Sequence, residues 1–439
     1  MTPTSAGNEQ PASNTLTPTK ISPTSFWQAI RGYPLTAFLI CLCGVSLENM
    51  DQALFQYVFP QLITHFQWTP QQAGIYSAIV FTIAGASIAA LGVLTDRVGR
   101  KRVFMLSMIV GSFFVATMFW ARTTWQLLTL RTIGFATGGI QSPVTGTIVV
   151  EEAPPKYRGL LSGILQIGYP LGWALASLAC LALISLVGQD AWLAGAWRYA
   201  FFISLLSIPY FVLIAKYLRE TTAFLATKAA SENPQSAIRN PQFFELFSPQ
   251  LRFKTALLFC GEFFHVFAYG TTLWLNLYFQ KARLWTPKDA IAIVGLSYFV
   301  GSLGYIVSAY VGEFFIRRRN VIIIWAQLGA VSFAVLIWLA HSWWAVLASY
   351  CLMTFFFYGT TAVKFTFIAE NFPARLRATG VTFAGSLAVN LGVAYGPLAL
   401  GFAIERLGWN WAYTVCGIAS IFVSGLFFLA LPAEPRELD

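Results

Sequence analysis

The chain has 439 residues, of which 57% are hydrophobic and 10% charged, with a formal net charge of +10. An ordinary soluble domain carries roughly 25% charged residues; no soluble core absorbs that shortfall over this length, whereas lipid solvates apolar side chains from outside. A basic balance in a soluble protein would point to nucleic acid, but the placing of the charges described below makes that partner unnecessary.

Residues 1–25 are rich in Ser, Thr, Pro, Asn and Gln and show no apolar period, so residues 1–31 are expected to form a disordered cytoplasmic tail. The first apolar run is long and carries charges at its middle, unlike a cleavable signal peptide, and reads as a first membrane helix. Runs near the roughly 20 residues a helix needs to cross a bilayer recur along the chain. They cover 35–63, 70–95, 103–121, 125–150, 160–187, 199–218, 254–280, 288–314, 320–340, 343–369, 379–403 and 410–431. The longest polar stretch, 219–252, divides them. The expected architecture is an all-α membrane protein of twelve transmembrane helices in two pseudo-symmetric six-helix bundles. Residues 32–218 would form the first bundle, 219–252 a central cytoplasmic loop, 253–431 the second bundle and 432–439 a cytoplasmic tail. Many Trp and Tyr sit near the ends of the runs, where a ring with a polar tip suits the headgroup region. The six cysteines fall inside apolar runs without metal-binding spacing, and neither a disulfide nor a metal site is expected.

With the N-terminus placed in the cytoplasm, twenty of the 28 Lys and Arg residues fall on cytoplasmic segments. This asymmetry orients an inner-membrane protein with both termini inside and accounts for its basic charge. The halves also repeat. Glu151, Pro154 and Arg158 follow the fourth run, and Glu370, Pro373 and Arg377 follow the tenth at the same spacing. Internal duplication of this kind builds two bundles around a central site.

The loop after the second run reads Gly92-Val-Leu-Thr-Asp96-Arg97-Val-Gly99-Arg100-Lys101-Arg102. A positive-inside loop would explain its Arg and Lys, but not the acid and the two glycines. The segment resembles the signature loop of the major facilitator superfamily, in which the glycines allow a tight turn and the acid helps hold a cytoplasmic gate. Its second-half counterpart, Gly312 to Arg319, has Ile316 where the acid would stand, leaving Glu313 as a substitute partner. Arg131, Gly134, Gly138 and Gly139 resemble the superfamily's fourth-helix motif. Together with the Glu151/Pro154/Arg158 segment they are similar to the metabolite:proton symporters, including the aromatic-acid, sialate and carboxylate branches. That resemblance implies alternating access between two rocking bundles, with Gly92, Asp96, Arg97, Gly99, Arg100, Lys101, Glu151, Arg158, Glu370 and Arg377 as gate and structural residues.

A charge at mid-bilayer costs at least about 2.5 kcal/mol on insertion scales, so such residues usually face a cavity and act there. The first helix carries Glu48 and Asp51, three apart on one face. The aromatic-acid branch has an acidic pair at this spacing with a glycine between; here one acid is longer and Asn49-Met50 stands between. The seventh helix carries Glu262 and His265 at the same spacing. A carboxyl in a low-dielectric cavity can load and release protons near neutrality, and histidine titrates in that range unperturbed. These four are the candidate proton-coupling groups, with a static Glu262–His265 pair as the other reading. Arg131 and Lys364 each put one cation into a different bundle, and a buried guanidinium binds carboxylate in fork geometry. Arg131 could instead pair with the first-helix acids. Lys364 has no acid three or four residues away on its own helix. Asn49, Gln52, Gln166, Tyr169, Tyr358 and Asn390 complete the candidate substrate site, with Gln56, Gln141 and Asn276 nearby and Phe55, Tyr269, Trp274 and Phe365 on the right helices.

No nucleotide-binding GxxxxGK[ST] loop, HExxH or GxSxG occurs, so an ATP-driven pump or an intramembrane hydrolase lacks support. The expectation is a monomeric symporter, not an enzyme, importing a small organic anion with the proton as coupling ion, without cofactor, metal or nucleic acid. A drug:proton antiporter is the alternative. Its glycine-proline pattern is poorly matched by Gly163 to Gly172, where Tyr169 separates Gly168 from Pro170. A transporter-like sensor is a further alternative, though 219–252 is too short for an output domain.

Overall fold

The computed structural model describes residues 23–222, 224–225, 243–373 and 376–432, excluding the side chains of 23–25, 89–90, 92–94, 96–97 and 378. The expected tail residues 1–22, most of the central loop, residues 433–439 and the side chains of Gly92, Asp96 and Arg97 lie outside the described residues. Among the described residues there is no strand. Among the described residues twelve helical spans follow one another, the first beginning and the last ending on one side of the molecule, the terminal face, opposite a far face.

The first half contains α1 (Tyr33–Phe66), α2 (Pro70–Val98), α3 (Arg100–Trp120), α4 (Thr124–Gly139, continued by Gln141–Glu152), α5 (Pro155–Val187) and α6 (Ala196–Tyr217). The second contains α7 (Arg252–Lys281), α8 (Pro287–Phe314), α9 (Arg318–Leu339), α10 (Trp343–Glu370), α11 (Thr379–Leu407) and α12 (Trp409–Leu429). Ten of these are long and apolar enough to cross a membrane, and α2 and α4 complete the twelve. The spans read from sequence lie within a few residues of these bounds. Far-face starts are set by hydroxyl caps: Thr69, Thr123, Thr286 and Ser342 accept the backbone N–H at the third position of α2, α4, α8 and α10. On the terminal face, Gly99 turns α2 into α3 at φ +110°, a conformation open to glycine and unfavourable for other residues.

One expectation is corrected. Residues 23–30, read as part of an unstructured tail, form the helix Pro23–Ile30. Phe26 and Ile30, four apart, share one face of it: Phe26 meets the Tyr157 ring edge-on at 5.1 Å, and Ile30 is buried. The helix is only 8 residues long and follows directly on a polar stretch, which concealed it.

Within each half, glycines bring one helix pair close. A Cβ on Gly172 of α5 would lie 2.7 Å from the Met50 nitrogen of α1. A Cβ on Gly392 of α11 would lie 2.8 Å from the Phe267 nitrogen of α7. Between halves, α2 meets α11 where Gly74 backs onto Pro397, and α5 meets α8 where Ser177 donates to the Ile291 carbonyl at 2.9 Å. Small residues let backbones approach without a hydrophobic drive from water.

Several spans are irregular along their length, two of them at prolines. Pro143 cannot donate to Gly139, and α4 is interrupted at Ile140. Pro170 cannot donate to Gln166, whose carbonyl takes the N–H of Tyr169 instead at 3.2 Å. A π-turn, Thr354–Tyr358, widens α10, and α7 breaks at Leu273–Trp274. Irregular backbone at membrane depth is tolerated where protein or a cavity surrounds it.

Gly172→Val is expected to destabilise the protein by about 1–3 kcal/mol through overpacking of α1 on α5. Gly146→Val, where an added Cβ meets nothing within 4 Å, should not. Thermal unfolding in detergent compares the two, and equal midpoints would refute the packing account.

Candidate functional site

The broken segments of α4, α5, α7 and α10 surround a central cavity of about 310 Å³ between the two halves. Its first-half wall is built from Glu48, Asn49, Gln52 and Gln56 of α1, Arg131 and Ser142 of α4, and Gln166, Tyr169 and Trp173 of α5. Its second-half wall includes Glu262, His265 and Tyr269 of α7, Tyr305 of α8, Tyr358, Lys364 and Phe365 of α10 and Asn390 of α11. The cavity therefore brings together Glu48, Asn49, Gln52, Arg131, Gln166, Tyr169, Glu262, His265, Tyr358, Lys364 and Asn390. It does not include Asp51, Gln141, Trp274 or Asn276.

Glu48 and Asp51, three apart, part company. Three residues advance a helix by about 300°, leaving the two side chains about 60° apart. At the cavity's edge that rotation separates two environments. Glu48 faces the cavity and accepts from Ser142 Oγ at 2.8 Å, beside the break in α4. Asp51 turns to α3 and accepts from Ser112 Oγ at 2.6 Å, leaving Oδ1 without a hydrogen bond.

Arg131 is 3% exposed and has no carboxylate within 4.0 Å among the described residues. Its guanidinium lies over the Phe55 ring at 4.4 Å and faces Phe135 at 5.4 Å, and Nη1 has no hydrogen-bond partner. Cation–π contact compensates its charge only in part. The alternative in which it pairs directly with the first-helix acids is not the arrangement found.

Lys364 is the reverse case. The sequence shows no partner along its own helix; the structure supplies one from α7. Its Nζ lies 2.9 Å and 3.1 Å from the two Glu262 oxygens, and both residues are 1% exposed. Glu262 and His265, candidate proton-coupling groups with a static pair as the other reading, hold different partners: the His265 Nε2 meets Thr360 Oγ1 at 3.1 Å, and Nδ1 is unpartnered.

Above the charges lies an aromatic tier drawn from both halves. Trp173 stacks on Tyr298 with centroids 4.5 Å apart, and Tyr169 meets Tyr269 edge-on at 5.7 Å. Tyr358 bonds Thr272 at 2.7 Å and Tyr298 at 3.1 Å. The unpartnered Tyr169 hydroxyl, with the free Oε1 atoms of Gln52 and Gln56, leaves polar capacity for a ligand.

Toward the far face the halves are sealed. Asn276 Nδ2 donates to the Gln56 and Tyr57 carbonyls at 3.2 and 3.0 Å. Gln61 Nε2 donates to Gln280 Oε1 at 2.9 Å, and Lys281 Nζ to Thr64 Oγ1 at 2.7 Å. Gln61 and Gln280 are 219 residues apart, the offset of the Glu151 and Glu370 repeats, so each contacts its own symmetry mate. On the terminal face two sets of charged contacts lie within single halves. Arg100 pairs with Glu151 at 3.4 Å, and Arg318 pairs with Glu370 and, at 2.5 Å, with Glu313. Lys101 caps the Ala215 carbonyl at 2.9 Å, and its N–H is taken by Glu220 at 3.2 Å. Arg158 and Arg377 donate to the Ala153 and Ala369 carbonyls, bracing equivalent turns.

Two six-helix halves enclosing a polar, charged mid-depth cavity sealed at one end define a multi-pass membrane transporter. The sequence profile of the Major Facilitator Superfamily matches residues 41–314 and 258–439, and the chain belongs to that family. It is 25% identical over 416 residues to the cis,cis-muconate transport protein of Acinetobacter baylyi, covering 91% of this chain and 96% of that one. It is also 25% identical over 432 residues to the gallate transporter of Pseudomonas putida, covering 91% and 92%. Among solved structures, the D-xylose-proton symporter superposes with a TM-score of 0.73 at 17% identity, covering 93% of this chain and 100% of that one. A bacterial homologue of the human lysosomal transporter Spinster, inward-facing and unoccupied, gives 0.66 at 17% identity, covering 91% and 95%.

Asn276→Ala is expected to loosen the far-face seal. In a Gln61→Cys background, labelling by a membrane-impermeant maleimide should quicken several-fold on adding Asn276→Ala. An unchanged rate would place the seal elsewhere.

Proposed function

We propose that this protein is a proton-coupled importer of small organic acids, working by alternating access. The observation that carries the reading is Arg131: a buried guanidinium on the cavity wall, without a carboxylate partner among the described residues and with Nη1 free. Burying an ion costs several kcal/mol unless it is compensated, and a substrate carboxylate provides that compensation by charge-assisted hydrogen bonds. The aromatic tier gives an unsaturated or aromatic acid a surface to lie against. The transporters of muconate and gallate among its relatives support that class of cargo.

Proton coupling follows from charge. Glu48 and Glu262 balance Arg131 and Lys364 on the cavity wall, and Asp51 adds a carboxylate behind it. An entering anion leaves a net negative charge in low dielectric unless a proton enters too. Glu48, Asp51, Glu262 and His265 are the groups that can carry it. With the terminal face in the cytoplasm, as the distribution of Lys and Arg favours, the described state is closed to the outside. The cell's inner membrane is then its place, and the monomer suffices, needing no cofactor.

Inside-alkaline proteoliposomes should accumulate 4-hydroxybenzoate, gallate or cis,cis-muconate. Arg131→Gln should raise the apparent constant about 10- to 100-fold, as expected for losing a charge-assisted contact of about 1.5–3 kcal/mol. An unaffected constant would move the anion site. Response to lipophilic cations alone would instead favour a drug:proton antiporter.

A further inference from the structure

We propose that Glu262 stands in for the substrate's carboxylate at Lys364, and that the arriving anion can take Lys364 only when Glu262 accepts a proton. This rests on the organic-acid reading above and adds to it the place and order of coupling.

The two cations on the cavity wall differ in one respect. An anion reaching Arg131 displaces no carboxylate, because none among the described residues lies within 4.0 Å. An anion reaching Lys364 must replace Glu262, whose two oxygens lie 2.9 and 3.1 Å from Nζ. Both members of the pair line the cavity, so the exchange needs no helix to unpack. Glu262 has no second donor among the described residues. Once Lys364 turns away, an ionised Glu262 would be a buried, uncompensated charge, a strongly unfavourable state. Glu48 is in a different position, since its contact with Ser142 survives whatever binds Arg131.

Among the described residues, the other charged groups on the cavity wall, Glu48 and Arg131, belong to the first half and lie across the cavity from the pair. Facing the pair are His265 and Tyr269 on α7, Tyr305 on α8 and Tyr358 on α10, with Glu48, Arg131 and Tyr169 across the cavity. From α11 the cavity receives Val389, Asn390 and Val393, none of them titratable. His265 is held by Thr360 through Nε2 and makes no hydrogen bond to Glu262.

The sequence of events is balanced. The anion docks at Arg131 in the first half. A proton from hydronium on the open side forms one O–H bond on Glu262, and water is left behind. Lys364 keeps its three protons and changes acceptor, from Glu262 to the substrate. The anion now bridges the two halves, drawing them together around it. Without the proton it remains on Arg131 alone and no bridge forms. Release on the other side reverses each step.

The test uses full-length protein in proteoliposomes with labelled 4-hydroxybenzoate, gallate and cis,cis-muconate, comparing wild type, Glu262→Gln and Glu262→Gln/Lys364→Gln. For Glu262→Gln, gradient-driven accumulation should be lost while exchange of labelled for unlabelled anion persists and no longer varies with pH. The double variant removes the unpaired ammonium that might prevent the single variant from folding. It should bind anion through Arg131 but show neither accumulation nor pH-dependent exchange. Wild-type transport combined with uphill accumulation and wild-type pH dependence in either folded variant overturns this inference alone. Failure of the wild type to move any of the three anions overturns the organic-acid reading and this inference with it.

Discussion

The structure depends on keeping a charged cavity near neutrality inside a low-dielectric slab. Arg131, Lys364, Glu48 and Glu262 share a wall between two halves that are otherwise apolar at that depth. None could be kept there by solvation alone. Each is compensated differently: Lys364 and Glu262 by each other, Glu48 by a serine, Arg131 by two phenylalanine rings. The last compensation is the weakest, and it marks the side of the cavity prepared for an anion.

The backbone serves the same constraint. Regular helices present side chains in fixed rows, and a mid-depth cavity needs polar groups at places those rows do not reach. The breaks before Pro143 and Pro170 and the π-turn Thr354–Tyr358 deliver Ser142, Gln166, Tyr169 and Tyr358 to the cavity. Glycines elsewhere keep the rest of each half tight. Gly172 of α5, packed on α1, and Gly392 of α11, packed on α7, occupy comparable positions in the two halves, so each half can move as one body while the contacts between them change.

Much of this was legible in the sequence. Spans are set by the thickness of the bilayer, and runs of about 20 apolar residues record it directly. The duplication from Glu151 to Arg158 and from Glu370 to Arg377 survived as spacing, and in the structure each glutamate takes an arginine partner, Arg100 and Arg318, while Arg158 and Arg377 donate to backbone carbonyls at different distances along the chain. Partnership was less legible. Lys364 and Glu262 lie 102 positions apart on helices whose contact no local pattern announces. Spacing put Glu48 and Asp51 on one side of α1, but only the neighbours decide that one meets the cavity and the other Ser112. The Pro23–Ile30 helix was hidden for the opposite reason: it is only 8 residues long and follows directly on a polar stretch, too short to show a period.

The contacts on the two faces differ in chemistry, and that difference bears on how the molecule cycles. The far-face seal consists mainly of neutral hydrogen bonds between α1 and α7, centred on Gln61 and Gln280, which are symmetry mates, with Lys281 as its one charged donor among the described contacts. Each such bond contributes only about 0.5–1.5 kcal/mol net, because water replaces it when the halves part. A seal of this kind can be broken and remade by the modest energies that binding one small anion supplies. The terminal-face ion pairs Arg100–Glu151 and Arg318–Glu370 lie within single halves, where they stiffen the turns and need not break as the halves rock. Rigid halves joined by weak, symmetric contacts leave the central cavity as the place where the balance is tipped. A ligand that bridges Arg131 and Lys364 acts there with the greatest differential effect on the two states, because it touches one cation from each half.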